Sequence, residues 1–349
     1  MTDLRVAIAG YGLAGRVFHA PLIAASEGLA VAFVVTRDAD RAAAVGREHP
    51  GAEAVASVDQ LWRRGGVDLL VVATPNDLHA PLALEAISRG VAVVVDKPMS
   101  LSAGEGQELV DAAEHAGVLL APFHNRRWDS DQLTLRRLIA GGRLGDVYRY
   151  ESRFERWRPA AQAGAWREQL PPERGGGQLL DLGPHLVDQA LTLFGAVSEV
   201  YAEIDGRRGL ASDDDDFLVL RHAAGTISHL HASAVTAAPG PRLRVLGSQA
   251  AFVVEELDGQ EDALRVGARP DDGDTWGVEP PERWGRLVRG DASEAVPSER
   301  GDWPQFYALL AAALRDGGTA PVDPRDAVAG LRVLEAARRS AAERTVVRI

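Results

Sequence analysis

Cysteine is absent from all 349 residues. Its absence excludes a disulfide framework, thiolate catalysis and any cysteine-ligated metal site. No apolar stretch reaches the roughly 18 residues that a membrane span requires, so no membrane partner is expected. Basic residues are the minority charge, 38 Lys and Arg against 50 Asp and Glu. The resulting net charge of -12 argues against a nucleic-acid partner held by general phosphate attraction, though a local basic pocket for one phosphate is compatible with it. Met1-Thr2-Asp3-Leu4 lacks the basic segment and apolar core of a secretory signal, and a soluble cytoplasmic protein is expected. Internal repeats and low-complexity linkers are also missing.

What is present is material for two ordinary domains. Apolar residues make up 46% and charged residues 25%, the usage of a globular protein, and the length suggests two cores at roughly 150 residues each. Leu4–Ala9 reads as an apolar strand, followed by Gly10-Tyr11-Gly12-Leu13-Ala14-Gly15 and an amphipathic stretch ending near Ser26. This is a G-x-G-x-x-G pattern between a strand and a helix, the context in which it marks a dinucleotide site. Gly10 permits the tight turn, Gly12 lets backbone approach a pyrophosphate, and Gly15 allows close helix–strand packing. The helix start then offers free N–H groups to the phosphates. Buried-type strands follow at 31–35, 69–73, 91–95 and 118–121, with helical patterns between them, as at 81–87 and 108–113. That alternation predicts a Rossmann doubly wound parallel sheet, an α/β dinucleotide-binding domain over residues 1–122.

The second strand ends Val34-Val35-Thr36-Arg37, with no carboxylate at its tip. An Asp or Glu there would bond the adenosine ribose of NAD, whereas a hydroxyl followed by a guanidinium suits the 2′-phosphate of NADP. NADP is the expected cofactor, and NAD stays possible if Arg37 points to solvent. Asp38 is expected to cap a helix beginning near Arg41. After the 69–73 strand stand Thr74-Pro75-Asn76, with His79 beyond them; contact with the nicotinamide ribose, capping of the helix that starts near Asp77, or both together are the roles these residues suit. Asp96-Lys97-Pro98 follows the β-branched run 91–95, which puts Lys97 at the carboxyl edge of the sheet, where open α/β folds bind ligands. A lysine there is either a surface cation or a proton donor and acceptor.

Beyond Pro122 the alternation stops, and residues 123–349 form the second expected domain, for substrate binding and oligomerisation. Phe123-His124-Asn125-Arg126-Arg127-Trp128-Asp129 is a crowded polar-aromatic segment, and a helix is predicted over 130–140. Strand-like runs stand at 145–155, 198–203, 217–221, 226–232, 242–246 and 251–254, and several of them alternate apolar and polar residues. They predict an α+β domain with a large, mostly antiparallel, open-faced sheet. Such a face is expected to pack against a copy of itself in a homodimer or homotetramer. The run Asp213 to Asp216 lacks the glycine and spaced ligands of a calcium loop and reads as a solvated loop before a strand. Residues 259–301 read only as loops and short strands, and closing helices are expected over 305–314 and 326–342.

Gly175-Gly176-Gly177-Gln178-Leu179-Leu180-Asp181-Leu182-Gly183-Pro184-His185 carries the other chemistry. Pro184 marks a helix start, so Asp181 just before it and His185 in its first turn can face the same side. They are either a capping carboxylate with a surface histidine, or a histidine that relays a proton and a carboxylate that orients it. No H-E-x-x-H arrangement or third ligand accompanies them, and no metal is expected.

The combination of GYGLAG, DKP, AWR and GGGQLLDLGPHLVD, in this order along the whole chain, resembles the glucose–fructose oxidoreductase/inositol dehydrogenase (Gfo/Idh/MocA) family. The resemblance implies that Lys97, Asp181 and His185 form the catalytic group. It also implies that Trp166-Arg167 approaches the cofactor and that Asp96, where the family usually has Glu, contacts the nicotinamide ribose. The stretches 16–23 and 125–131 are most similar to the NADP-dependent scyllo-inositol dehydrogenase branch. The implied activity is hydride transfer between NADP(H) and a secondary alcohol or ketone of a cyclic polyol or sugar. Asn125, Arg153 and Trp157 are further candidates for substrate contact, alongside structural roles. Two alternatives stay open: a sugar 1-dehydrogenase of the same family, and a dinucleotide-binding sensor without catalysis.

Overall fold

The strand–helix alternation of the first third builds a six-stranded parallel sheet, in a computed structural model that describes residues 2–161 and 164–349. Its strands are β1 (Leu4–Ala9), β2 (Leu29–Val35), β3 (Glu53–Val55), β4 (Leu69–Val72), β5 (Ala92–Val95) and β6 (Leu120–Pro122), in the order β3-β2-β1-β4-β5-β6. Every residue of β4 and β5 is buried, as expected of central strands covered on both faces. The order reverses between β1 and β4, which makes the crevice at their carboxyl ends the switch point of the sheet. Asp38 does cap helix Ala39–Glu48, its side chain accepting from Arg41 N–H at 3.0 Å. One element departs from the simple pattern: the helix after the glycine loop is π-helical over Ala14–His19 and becomes α-helical at Ala20–Ala24. Pro21 has no N–H for the carbonyl four residues back, and the wider turn lies just before it.

This first unit comprises the chain to Asn125 together with Gln260–Trp276 and Trp303–Ala327. Helix Pro304–Asp316 brings Phe306 and Tyr307 onto Phe123, with ring centroids 4.9 and 5.9 Å apart. Helix Gln260–Arg265, in a stretch the sequence shows only as loops and short strands, is anchored by Gln260. The Gln260 Oε1 accepts from Trp276 Nε1 at 3.0 Å and from Trp303 N–H at 2.8 Å.

The second unit comprises Arg126–Gly259, Gly277–Asp302 and Val328–Ile349. Its nine strands are β7 (Val147–Glu155), β8 (Val197–Asp205), β9 (Asp215–His222), β10 (Ile227–Ser233), β11 (Leu243–Gly247), β12 (Ala251–Val254), β13 (Arg286–Arg289), β14 (Ala292–Ala295) and β15 (Val347–Arg348). They run in the order β14-β13-β12-β11-β7-β10-β9-β8-β15 and pair antiparallel except for β7 with β10. Along β9 and β10 buried residues alternate with half-exposed ones, so one face carries Leu218, Leu220, Leu230 and Ala232 and the other Phe217, Val219, His229 and His231. Helices Gln178–Asp181 and Gly183–Phe194 pack on the sheet.

The acidic run, whose last two residues belong to β9, is not a solvated loop. Asp213, Asp214 and Asp216 are buried, and the first two accept hydrogen bonds from backbone and arginine donors. Burial, reinforced by the Asp213 charge, raises the Asp216 carboxyl well above the ordinary carboxylate range. Among the described residues no helix is long and apolar enough to cross a membrane, and no cluster of three or more His, Asp or Glu is arranged to hold a metal.

Candidate active site

In the first unit the switch point is lined by the glycine loop on one side and the end of β4 on the other. Gly10 has φ +99, and a Cβ there would lie 2.4 Å from the Ala73 carbonyl, so only glycine lets the loop turn this close to β4. At Gly15 an added Cβ would meet the Gly10 carbonyl at 2.0 Å. At Gly12 the space is open: an added Cβ would find nothing nearer than Arg41 Nη1, at 4.0 Å. Across the crevice, Thr74 Oγ1 is buried and has no hydrogen-bond partner among the described residues. A bare backbone cradle and an unsatisfied buried hydroxyl at the switch point both fit a bound dinucleotide.

The Tyr11 side chain turns inward, and its hydroxyl donates to Glu48 Oε2 at 2.9 Å. Burial and then the Glu48 carboxylate raise its pKa above the ordinary tyrosine value. Leu13 is exposed, and Ala14 opens the π-helical segment. Thr36 is half-buried at the end of β2 and Arg37 is exposed. Arg41, one helical turn into the next element, brings a second guanidinium toward the loop at Gly12. Sequence reasoning missed Arg41 by reading the segment only for its cap, although Arg37 and Arg41 lie within five residues of each other just after β2.

Thr74-Pro75-Asn76 does not cap the following helix: the N-cap of His79–Ser88 is Leu78, without a side-chain cap. His79 is buried, with Nδ1 2.7 Å from the Pro98 carbonyl and Nε2 3.0 Å from the Thr74 carbonyl. The ring thus ties the loop after β4 to the loop after β5. That second loop holds Asp96, buried, whose Oδ1 accepts from Lys97 N–H at 2.8 Å. Lys97 is half-buried at the carboxyl end of β5, and its peptide bond to Pro98 is cis. Asn125 is buried at the end of the first segment of this unit.

In the second unit Asp181 ends helix Gln178–Asp181 and His185 lies in the first turn of Gly183–Phe194, whose N-cap Leu182 offers no side-chain bond. Asp181 is therefore not the cap of that helix. Its Oδ1 lies 3.0 Å from Arg167 Nε, and the Arg167 guanidinium in turn stacks on the Trp166 ring at 4.4 Å. His185 is buried rather than superficial, with its ring centroid 6.2 Å from that of Phe154. Arg126 and Arg242 stand 5.0 and 4.3 Å from the same Phe154 ring, each paired with a buried carboxylate, Asp129 at 3.3 Å and Asp131 at 3.5 Å.

The structure does not bring Arg153 to this group. Side chains alternate along β7, so Arg153 projects from the face opposite Phe154, where it donates to Glu151 Oε2 at 2.8 Å. Trp157 is exposed just past the end of β7, bridged by backbone to Val235.

Comparison with known proteins gives this geometry a context. Residues 4–124 match an oxidoreductase family described by its NAD-binding Rossmann fold, and residues 136–349 match the C-terminal alpha/beta domain of the same family. The scyllo-inositol 2-dehydrogenase (NADP(+)) IolW of Bacillus subtilis is 36% identical over 348 residues, which cover 99% of this chain and 95% of that protein. The uncharacterized oxidoreductase YdgJ of Escherichia coli is 37% identical over 349 residues, covering 99% and 98%. A solved Bacillus subtilis structure named for the oxidoreductase yvaA superposes with a TM-score of 0.93 at 36% identity, over 100% of this chain and 99% of that one. The chain has the glycine loop and switch point of a dinucleotide-binding sheet and matches at nearly full length on both sides of Asn125; it belongs to the Gfo/Idh/MocA family of oxidoreductases.

Proposed function

We propose that this oxidoreductase moves a hydride between NADP(H) and a secondary alcohol or ketone of a cyclic polyol or sugar, with scyllo-inositol and its ketone as the first pair to test. The observation that carries the reading is Lys97. It is the one lysine in 349 residues; every other member of the 38 Lys and Arg residues is arginine. Arginine supplies the same charge but does not give up its proton in a protein, so a lysine at the sheet edge suits proton exchange rather than charge alone. Oxidation of an alcohol removes a hydride from carbon and a proton from oxygen. When bound, the nicotinamide supplies the hydride acceptor, or the donor in the reverse direction. Lys97 or His185 exchanges the hydroxyl proton. Asp181, held by Arg167 and supported on Trp166, orients that chemistry, and Asn125 is kept as a substrate contact.

For the cofactor, the glycine loop receives the pyrophosphate, and Thr74, Asn76 and Asp96 serve the nicotinamide ribose. Thr36, Arg37 and Arg41 receive the 2′-phosphate, a preference supported by the NADP named for the Bacillus subtilis relative. The half-exposed sheet face around Phe217 and His231 is the proposed contact with a second copy; light scattering that returned a monomer would remove that part.

The test is turnover of purified protein with NADP+ or NAD+ and a panel of inositols and aldoses, followed by nicotinamide absorbance. Turnover of an inositol, lost in Lys97→Met and His185→Ala, is expected. Arg37→Ala and Arg41→Ala should raise KM for NADPH by about tenfold or more with little change for NADH. Binding without turnover of any polyol or sugar would sink the catalytic reading, and an equal effect on both dinucleotides the NADP assignment.

A further inference from the structure

The first two carboxylates of the buried acidic run, just before β9, each hold a different short helix. Asp213 Oδ2 accepts from Leu179 N–H at 2.7 Å, and the Asp213 carbonyl accepts from Gln178 N–H at 3.1 Å. Two N–H groups that the start of helix Gln178–Asp181 would leave unpaired thus end on one residue. Gly177 makes the approach possible, because a Cβ there would lie 2.2 Å from Asp213 Oδ1. Asp214 Oδ1 accepts from Arg207 N–H at 2.7 Å, and its Oδ2 accepts from Arg208 N–H at 3.0 Å and Arg208 Nε at 2.9 Å. The far end of the Arg208 guanidinium donates to Glu168 Oε1 at 3.1 Å, inside helix Trp166–Gln169. The Arg208 and Asp214 side chains are 5% and 0% exposed, so removing the guanidinium would leave the Asp214 carboxylate away from water without its charged partner.

These two anchors converge. Helix Trp166–Gln169 carries Arg167, helix Gln178–Asp181 ends in Asp181, and Arg167 Nε meets Asp181 Oδ1 at 3.0 Å. The backbone closes the same loop, with the Arg167 carbonyl accepting from Gly177 N–H at 2.9 Å and from Ser212 Oγ at 3.3 Å. We propose that Asp213 and Asp214 are positioning residues for the Arg167–Asp181 pair, one acting through the start of the second helix and the other through Arg208 and Glu168 on the first. Adjacent residues at the mouth of one rigid strand set the separation of the two helices and with it the place of the Asp181 carboxylate. The proposal rests on the reading that Asp181 serves the reaction.

Hydrogen exchange on the full-length protein tests the positioning without a substrate. Asp213→Ala should speed exchange at 178–182, and Glu168→Gln at 166–169, by about tenfold, while the amides of β9 and β10 keep their protection. Asp213→Asn retains an acceptor oxygen for Leu179 N–H and should restore most of the protection. With scyllo-inositol and NADP+, Asp213→Ala should lower kcat by about tenfold or more and leave dinucleotide affinity unchanged. Unchanged exchange in both variants, or a uniform rise across the sheet, would overturn the proposal, and the conservative Glu168→Gln decides the matter if Asp213→Ala does not fold. Asp181→Asn separates the two ideas: full turnover in that variant removes the role of Asp181, whereas lost turnover beside a fully active Asp213→Ala and Glu168→Gln removes the positioning alone.

Discussion

An arginine at position 97 would keep the charge at the end of β5 and lose its proton chemistry. The sequence uses arginine everywhere else, so Lys97→Arg is the least intrusive change available and separates the two roles. If Lys97 exchanges the substrate proton, turnover falls by about 100-fold or more in Lys97→Arg, in line with the usual weight of general acid–base catalysis. NADP+ affinity by calorimetry should stay within about twofold, since binding needs only the cation. A variant with more than a tenth of wild-type turnover would reduce Lys97 to an electrostatic contact. At this scale sequence reading is uneven for a physical reason. Lys97, Asp181 and His185 lie at recognisable element ends, which a strand run or a Gly-Pro step reveals. Arg153 is a candidate on its chemistry alone, alongside a structural role, and the two-residue alternation of β7 turns it to the face opposite Phe154.

At the scale of elements, two loops at the switch point are joined by one ring. The Thr74 and Pro98 carbonyls lie 3.0 and 2.7 Å from the two ring nitrogens of His79, and the nitrogen that carries the proton donates to the carbonyl it faces. Replacing the ring by an apolar side chain removes that donor, at about 1–3 kcal/mol, together with the ring that spans the two loops. His79→Leu is therefore expected to loosen the loops after β4 and β5 together and to weaken NADP+ binding by about tenfold. Calorimetry with hydrogen exchange at 74–79 and 96–100 reads both effects, and protection lost on one loop alone would break the clamp argument. The strands themselves are legible because β2, β4 and β5 are continuous apolar runs, β1 is apolar but for Arg5, and β9 and β10 alternate. The three-residue β3 and helix Gln260–Arg265 were not, since each is too short for a period and the helix depends on Trp303, 43 residues away. The acidic run misled for a similar reason: its partners, the Leu179 N–H and the guanidinium of Arg208, become neighbours only in the folded chain.

Across the whole molecule, buried titratable groups set opposing pH trends. His19 is fully buried against Phe123, with Nδ1 2.6 Å from the Tyr307 hydroxyl, and burial pushes its pKa down from 6.5 to about 4, an effect the nearby Asp96 only partly offsets. Its contribution to stability is present above pH 6.5 and is lost as pH falls toward about 4, because the unfolded chain takes up a proton that the folded chain refuses. For a group this deeply buried the difference is on the order of 3 kcal/mol. His49, His222, His229 and His231 are also depressed by burial and act in the same direction. Asp216 acts in the other: its raised carboxyl favours the folded state most fully below its ordinary 3.8, and that stability is lost as pH climbs through the folded value. Unfolding midpoints measured from pH 4 to 8 should therefore rise up to about pH 6.5, where the histidine contribution is complete, with Asp216 opposing the rise from its ordinary 3.8 upward. His19→Gln should shallow the acidic limb, and Asp216→Asn, with a neutral amide of the same shape, should gain stability at pH 8 and little at pH 4. If His19→Gln and the wild type fell in parallel below pH 6.5, the acid lability would have to come from the other histidines; if Asp216→Asn gained nothing at pH 8, the buried carboxyl would be stabilised as an anion by its surroundings.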